Sequence, residues 1–319
     1  MTGADSRDMD VAELALLLPS PADRELPLGR HYALKEYLMS EVRLAAPAPA
    51  GRPATRRRGP AIVFAVAGVA ALAALAITLA FLPQSTPGYS PAAVRLLGKV
   101  ATTAAQQPNP HVRDNQFWYI KSWISYRSCD AASKCVLEKP HERQIWLSVS
   151  NLCVAGLLRE HRQELPLVSS GSAVHCPWRG VVNDPTYRLL QSLPTDPHAL
   201  LRLIEQQMQG QQPRSQEAFT TIGDLLREAI APPRVSAALY RAAALIPGVT
   251  VVQDATDAVG RTGVAVAMTS QGVRTEWIFS KQTLLYLGER DVNVADGSTV
   301  GESAVLQRAF VDHAGQLPG

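Results

Sequence analysis

Gln116–Arg127, QFWYIKSWISYR, sets Trp118, Ile120, Ile124 and Tyr126 against Phe117, Tyr119 and Trp123. That is the two-residue period of a β-strand with large side chains on both faces. Arg143–Val149, RQIWLSV, reads as its partner, with a cysteine-bearing loop in or near the connection. Upstream, Ala92–Gln107 has helical spacing, with Val94, Leu97, Val100 and Ala101 on an apolar face, and Pro108 and Pro110 end it. Downstream, Leu193–Met208 opens with Asp196 as N-cap and Pro197 at the first helical position. The carboxylate can accept a free amide there, and proline has no amide to leave unpaired.

Glu217–Ile230 and Val235–Ile246 are two further amphipathic helices, separated by Ala231-Pro232-Pro233-Arg234 and closed by Pro247-Gly248. Strands resume at Val249–Gln253, Val264–Thr269, Val273–Phe279 and Leu284–Val292, with Ser280–Thr283 as the hairpin turn between the last two. Strands, then helices, then strands without regular alternation predict an α+β fold: an antiparallel sheet with packed helices, not a doubly wound nucleotide fold. No internal repeat is visible.

The rest of the 319-residue chain is organised around one segment. Ala61–Leu82, AIVFAVAGVAALAALAITLAFL, holds 22 residues without a charge. As a helix it would be roughly 33 Å long, enough for the hydrocarbon core of a bilayer, and it lacks the polar face of a soluble helix. Arg52, Arg56, Arg57 and Arg58 precede it, and Pro83–Val94 carry no charge after it. The arginines are therefore expected at the cytoplasmic membrane surface, in contact with anionic lipid, and the C-terminal part outside. A cleaved signal peptide would place a shorter apolar run near the start, whereas sixty residues come first here. No cysteine lies directly beside the span to carry a lipoprotein anchor.

The predicted organisation is a cytoplasmic tail over 1–60, a transmembrane helix over 61–82, an exit linker and helix over 83–110, and an extracytoplasmic α+β domain over 111–319. Only the part after the span is long enough for a sizeable core. All four cysteines, Cys129, Cys135, Cys153 and Cys176, fall in it. An oxidising compartment permits disulfides there. Of three pairings, Cys129 with Cys135 and Cys153 with Cys176 is favoured: the first brackets a turn-like DAASK and the second closes a polar excursion. Chain entropy would make them worth about 2.4 and about 3.5 kcal/mol. A cysteine zinc site is not expected, because the spacings are irregular and there is no C-x-x-C pair.

Within the tail, residues 29–44 place Leu34, Tyr37, Leu38, Glu41 and Val42 near one helical face. So short a helix has no core of its own, and its low net charge favours docking on a cytoplasmic partner over lying on lipid. Residues 45–60 form a Pro/Ala/Arg linker.

Charge excludes one large class of function. The chain has 31 basic and 28 acidic residues, and residues 1–60 hold 9 and 8 of them, which leaves 22 and 20 beyond. Neither side carries a basic field fit for nucleic acid. No H-E-x-x-H, G-x-S-x-G, P-loop or dinucleotide fingerprint is present, so no enzyme, cofactor or metal is expected. Of seven histidines, no two are spaced as ligands on one helix or strand. His141, beside Glu142, and His175, beside Cys176, are expected as exposed loop residues. The tryptophans lie beyond the span at 118, 123, 146, 178 and 277. They read as core aromatics; alternatively Trp118, Trp123, Trp146 and Trp277 line a concave sheet face that holds a lipid-like ligand.

Several stretches resemble one family: NQFWY at 115–119, RQIWLS at 143–148, LPTDP at 193–197, YRAAALIPGV at 240–249, VRTEWIFSKQTLLYLGER at 273–290, and AVLQRAFVDHAGQLP at 304–318. This is a group of actinobacterial single-span membrane proteins named after a locus tag, many encoded beside extracytoplasmic-function sigma factors. The resemblance covers essentially the whole chain. It implies a membrane-bound regulator whose outer domain senses and whose inner segment restrains a sigma factor. Zinc-binding anti-sigma proteins carry a His and a Cys-x-x-Cys on cytoplasmic helices, whereas this tail has only His31 and no cysteine. In outline the outer domain is also similar to the half-barrel sheets of lipoprotein carriers and of a periplasmic regulator of a sigma-factor pathway.

Overall fold

The computed structural model describes residues 88–129, 135–167, 180–208 and 212–319. The tail helix with Leu34, Tyr37, Leu38 and Val42, the arginines Arg52, Arg56, Arg57 and Arg58, the 61–82 span, Cys176 and Trp178 lie outside the described residues. Among the described residues no helix is long and apolar enough to cross a membrane.

The chain enters through helix α1, Pro91–Ala105. Ser90 caps it by accepting from the Ala93 amide at 3.3 Å, and Pro91 occupies the first turn. Its buried stripe is Ala93, Leu97, Val100 and Ala101; Val94, expected on that stripe, is 42% exposed.

Strand β1, Phe117–Cys129, follows, then β2 (Cys135–Leu137), β3 (His141–Ser148), β4 (Gly156–Glu160) and β5 (Gln163–Leu167). A short ladder of β6 (Gly180–Val181) and β7 (Asp184–Pro185) leads into helix α2, Tyr187–Ser192. Helices α3 (Pro197–Gln207), α4 (Arg214–Glu228) and α5 (Pro233–Ala243) come next. Asp196 caps α3 as expected, accepting from the Ala199 amide at 2.8 Å. The chain closes with β8 (Thr250–Thr256), β9 (Thr262–Ser270), β10 (Val273–Phe279), β11 (Tyr286–Asn293) and β12 (Thr299–Val311).

The α+β reading with an antiparallel sheet holds. Ten strands form one sheet in the order β5-β4-β3-β1-β12-β11-β10-β9-β8, with β2 hydrogen-bonded to β1 off this path. Every pairing is antiparallel. β1 is central because β12, from the far end of the chain, and β3 flank it over most of its length. The β10–β11 connection is longer than expected. Leu284 has φ of +57° and donates to the Ser280 carbonyl at 2.9 Å, so the turn consumes it and β11 begins at Tyr286.

The helices cover one face of the sheet, and the main core lies between the two layers. Trp118, Ile120, Ile145 and Trp277 from the sheet meet Leu97 of α1, Leu200 of α3, Phe219 of α4 and Leu239 of α5. The Phe219 and Trp277 rings stack with centroids 3.8 Å apart and planes within 7°. Gly223 permits that stack: a Cβ there would sit 2.6 Å from Trp277 Nε1, well inside contact distance. On the outer face Tyr119, Trp146 and Val311 form a smaller cluster. The C-terminal segment covers it, with Trp146 Nε1 donating to the Gln316 carbonyl at 2.7 Å.

Candidate functional site

The inner face of the sheet changes character along its strands. Toward β1 residues 118–120 it is apolar, while at the other end Arg143, Glu289 and Ser303 project among the helix residues. There the last turn of α4 lowers Arg227 and Glu228 onto the sheet. Arg227 is 8% exposed in its side chain, and each of its nitrogens meets a different carboxylate: Nη1 donates to Glu289 Oε1 at 2.7 Å, Nη2 to Asp224 Oδ1 at 2.6 Å, and Nε to Glu228 Oε1 at 3.1 Å. Arg143 Nη1 donates to the other oxygen of Glu228 at 2.6 Å. Arg143 also stands 3.9 Å from Glu160, its register partner on β4. Glu160 Oε1 in turn lies 2.7 Å from His141 Nε2.

A continuous charged seam results, running from β11 through α4 to β3 and β4. Two arginines face four carboxylates along it: Asp224, Glu160, Glu228 and Glu289. The shortage of positive charge falls unevenly. Burial alone would raise the Glu228 carboxyl, but Arg143 and Arg227 together hold it down at about 2. Glu289 shares its one arginine with two competitors; burial, reinforced by Asp291, Asp224 and Glu228, pushes its carboxyl up to about 8 against the pull of Arg227. Beside it the Trp277 Nε1 and Tyr286 hydroxyl are buried without a hydrogen-bond partner among the described residues. Burial drives the Tyr286 hydroxyl well above the usual phenol range.

At the far end of the seam two histidines come together. The His141 and His161 rings lie 3.9 Å apart between centroids, tilted by 32°. Glu138 brings a carboxylate to them, and one ligand atom from each of Glu138, His141 and His161 lies within 4.8 Å of the others. His141 is thus not the exposed loop residue expected: it opens β3, is 15% exposed in its side chain, and engages both ring nitrogens, Nδ1 toward the Lys139 carbonyl at 3.1 Å and Nε2 toward Glu160. Spacing along one element could not reveal this pair, because the antiparallel β3–β4 register makes it. A signal was present in the pair His141-Glu142-Arg143 and Arg159-Glu160-His161, which the antiparallel register brings together with Arg143 opposite Glu160.

The predicted tryptophan site is not assembled on one face. Trp118 and Trp277 are fully buried in the helix-covered core, and Trp146 is fully buried on the outer face. Trp123 alternates with Trp118 along β1 and so shares the outer side with Tyr119 and Trp146. Of the cysteines, Cys135 on β2 and Cys153 in the β3–β4 connection are disulfide-bonded. Cys129 stands opposite Cys135 in the β1–β2 register.

No protein-family profile and no curated protein sequence matches the chain. Among solved structures, the chain is similar to a crystal structure of MucB at a TM-score of 0.24 and 12% identity, over 72% of this chain and 61% of that one. It is similar to MucB in complex with MucA(peri) at a TM-score of 0.22 and 11% identity, over 71% and 57%. The chain thus spans less than two thirds of the length of either match.

Proposed function

We propose that this chain is a single-pass membrane regulator that acts by binding and not by catalysis. Its extracytoplasmic domain receives a signal or partner, and residues 29–44 contact a cytoplasmic protein, a sigma factor. The observation that carries the reading is the disulfide-bonded state of Cys135 and Cys153. Both lie beyond the uncharged 61–82 run, on the side opposite Arg52 and Arg56–Arg58. Two independent physical arguments, charge flanking and thiol chemistry, therefore support the same side of the membrane for this domain. The disulfides in this reading join Cys129 to Cys135 and Cys153 to Cys176. The sigma-factor partner is supported by the family resemblance and by the apolar face of Leu34, Tyr37, Leu38 and Val42, which needs a surface to cover it.

Co-purification of the detergent-solubilised full chain with the sigma factor encoded beside its gene tests the partner. A stoichiometric complex that Leu34→Asp and Leu38→Asp abolish is the expected result. No complex at micromolar concentrations refutes it.

A further inference from the structure

We propose that Glu138, His141 and His161 bind one divalent ion of the zinc class, which clips the β4–β5 hairpin to the β2–β3 connection. Three elements converge to make the site, and each is held in place independently of the ion. Glu138 is pinned through its main chain: its amide donates to the Tyr126 carbonyl at 2.9 Å, and its carbonyl accepts from Ser125 Oγ at 2.7 Å. His141 is oriented by Glu160, which accepts from Nε2. That leaves Nδ1, facing the segment that carries Glu138, as the nitrogen to exchange from the Lys139 carbonyl to a metal. A carboxylate behind a ligating imidazole is the usual outer partner of such a ligand, fixing the tautomer and raising its basicity. His161 occupies the two-residue turn between β4 and β5 with φ of +49°, followed by Arg162 at +65°. Asparagine or glycine would meet that backbone more cheaply, yet here a histidine places its ring against His141.

The donor set selects the ion. Two imidazoles and one carboxylate suit zinc and neighbouring transition metals, whereas magnesium and calcium require oxygen shells. Tetrahedral zinc with bonds of about 2.0–2.1 Å sets its ligands about 3.4 Å apart. The three donors, now within 4.8 Å of one another, reach that spacing by side-chain rotation, with His161 the most exposed of the three.

Calorimetric titration of the untagged, chelator-treated full chain in detergent with zinc chloride tests the site. One saturable site per chain with a dissociation constant of micromolar or below is expected, with no saturable site for magnesium or calcium. His161→Ala leaves the His141–Glu160 bond in place and should weaken binding at least tenfold with an unchanged circular dichroism spectrum. His111→Ala should bind as the parent does. Absence of a saturable zinc site, or equal affinity in His161→Ala, overturns the proposal.

Discussion

Arg227 and Glu289 meet across 2.7 Å, and their bond joins the end of α4 to the middle of β11. Because Asp224 and Glu228 take the remaining faces of the same guanidinium, this one cation holds three carboxylates together. Arg227→Met should therefore destabilise the domain by about 1–3 kcal/mol, the cost of leaving buried carboxyl groups without their hydrogen-bond donor. In Arg227→Met/Glu289→Met the loss should be smaller, because the buried carboxyl left without a donor is gone too. Urea unfolding of both variants gives the comparison.

The same seam sets a pH dependence. The Glu289 carboxyl is raised to about 8 in the folded protein, so the folded state holds its proton more tightly than the unfolded chain does. Stability should fall as pH rises from about 4.5 through 8, the window between the two states. Glu228, held at about 2, acts in the opposite sense: its contribution is present above about pH 4.5 and is lost as pH falls toward 2. Thermal melts should then peak near pH 4–5. Glu289→Gln should flatten the slope on the alkaline side while leaving the acid limb intact.

Two glycines on helices separate packing from propensity. Gly223→Ala drives a methyl into the Trp277 indole and should cost about 1–2 kcal/mol even after the helix gains alanine. Gly98→Ala in α1 meets nothing within 4 Å and should stabilise by about 0.5–1 kcal/mol. Chemical denaturation of the pair reads both signs.

On the outer face, Trp146→Phe keeps the ring under Arg159 but removes the donor to Gln316. A loss of about 1 kcal/mol is expected. Hydrogen exchange should quicken selectively in residues 312–319, which that bond ties to the sheet.

Elements with an uninterrupted period were legible in the sequence. β1, α3 and β10 fall where alternation or capping places them, because each turns large apolar side chains into the main core: Trp118 and Ile120, Leu200 and Ile204, Trp277 and Phe279. β12 was not legible, for a physical reason. Val305 faces the helices opposite Ser122, but Leu306 is an extra residue in the pairing with β1, after which Arg308 and Phe310 face inward instead. The bulge breaks the two-residue period, and the inward positions hold glycine, serine and arginine as often as hydrophobes. β5 was missed because an edge strand needs little apolar alternation, and it is exposed along nearly its full length; β4, between β5 and β3, is only five residues long. The charged seam and the His141–His161 pair depend on which strands become neighbours, so composition and local spacing could not assemble them. The tryptophans illustrate the converse: aromatic content was plain, but which side of the sheet each occupies follows from register.

The account rests above all on the domain lying outside the membrane while the arginine-flanked tail lies inside. Alkaline phosphatase fused after Gly319 measures this directly in intact cells. The enzyme should be active there, and a cytoplasm-dependent reporter at the same position inactive. An inactive phosphatase with an active cytoplasmic reporter would contradict the topology, and with it the disulfides and the proposed regulatory role.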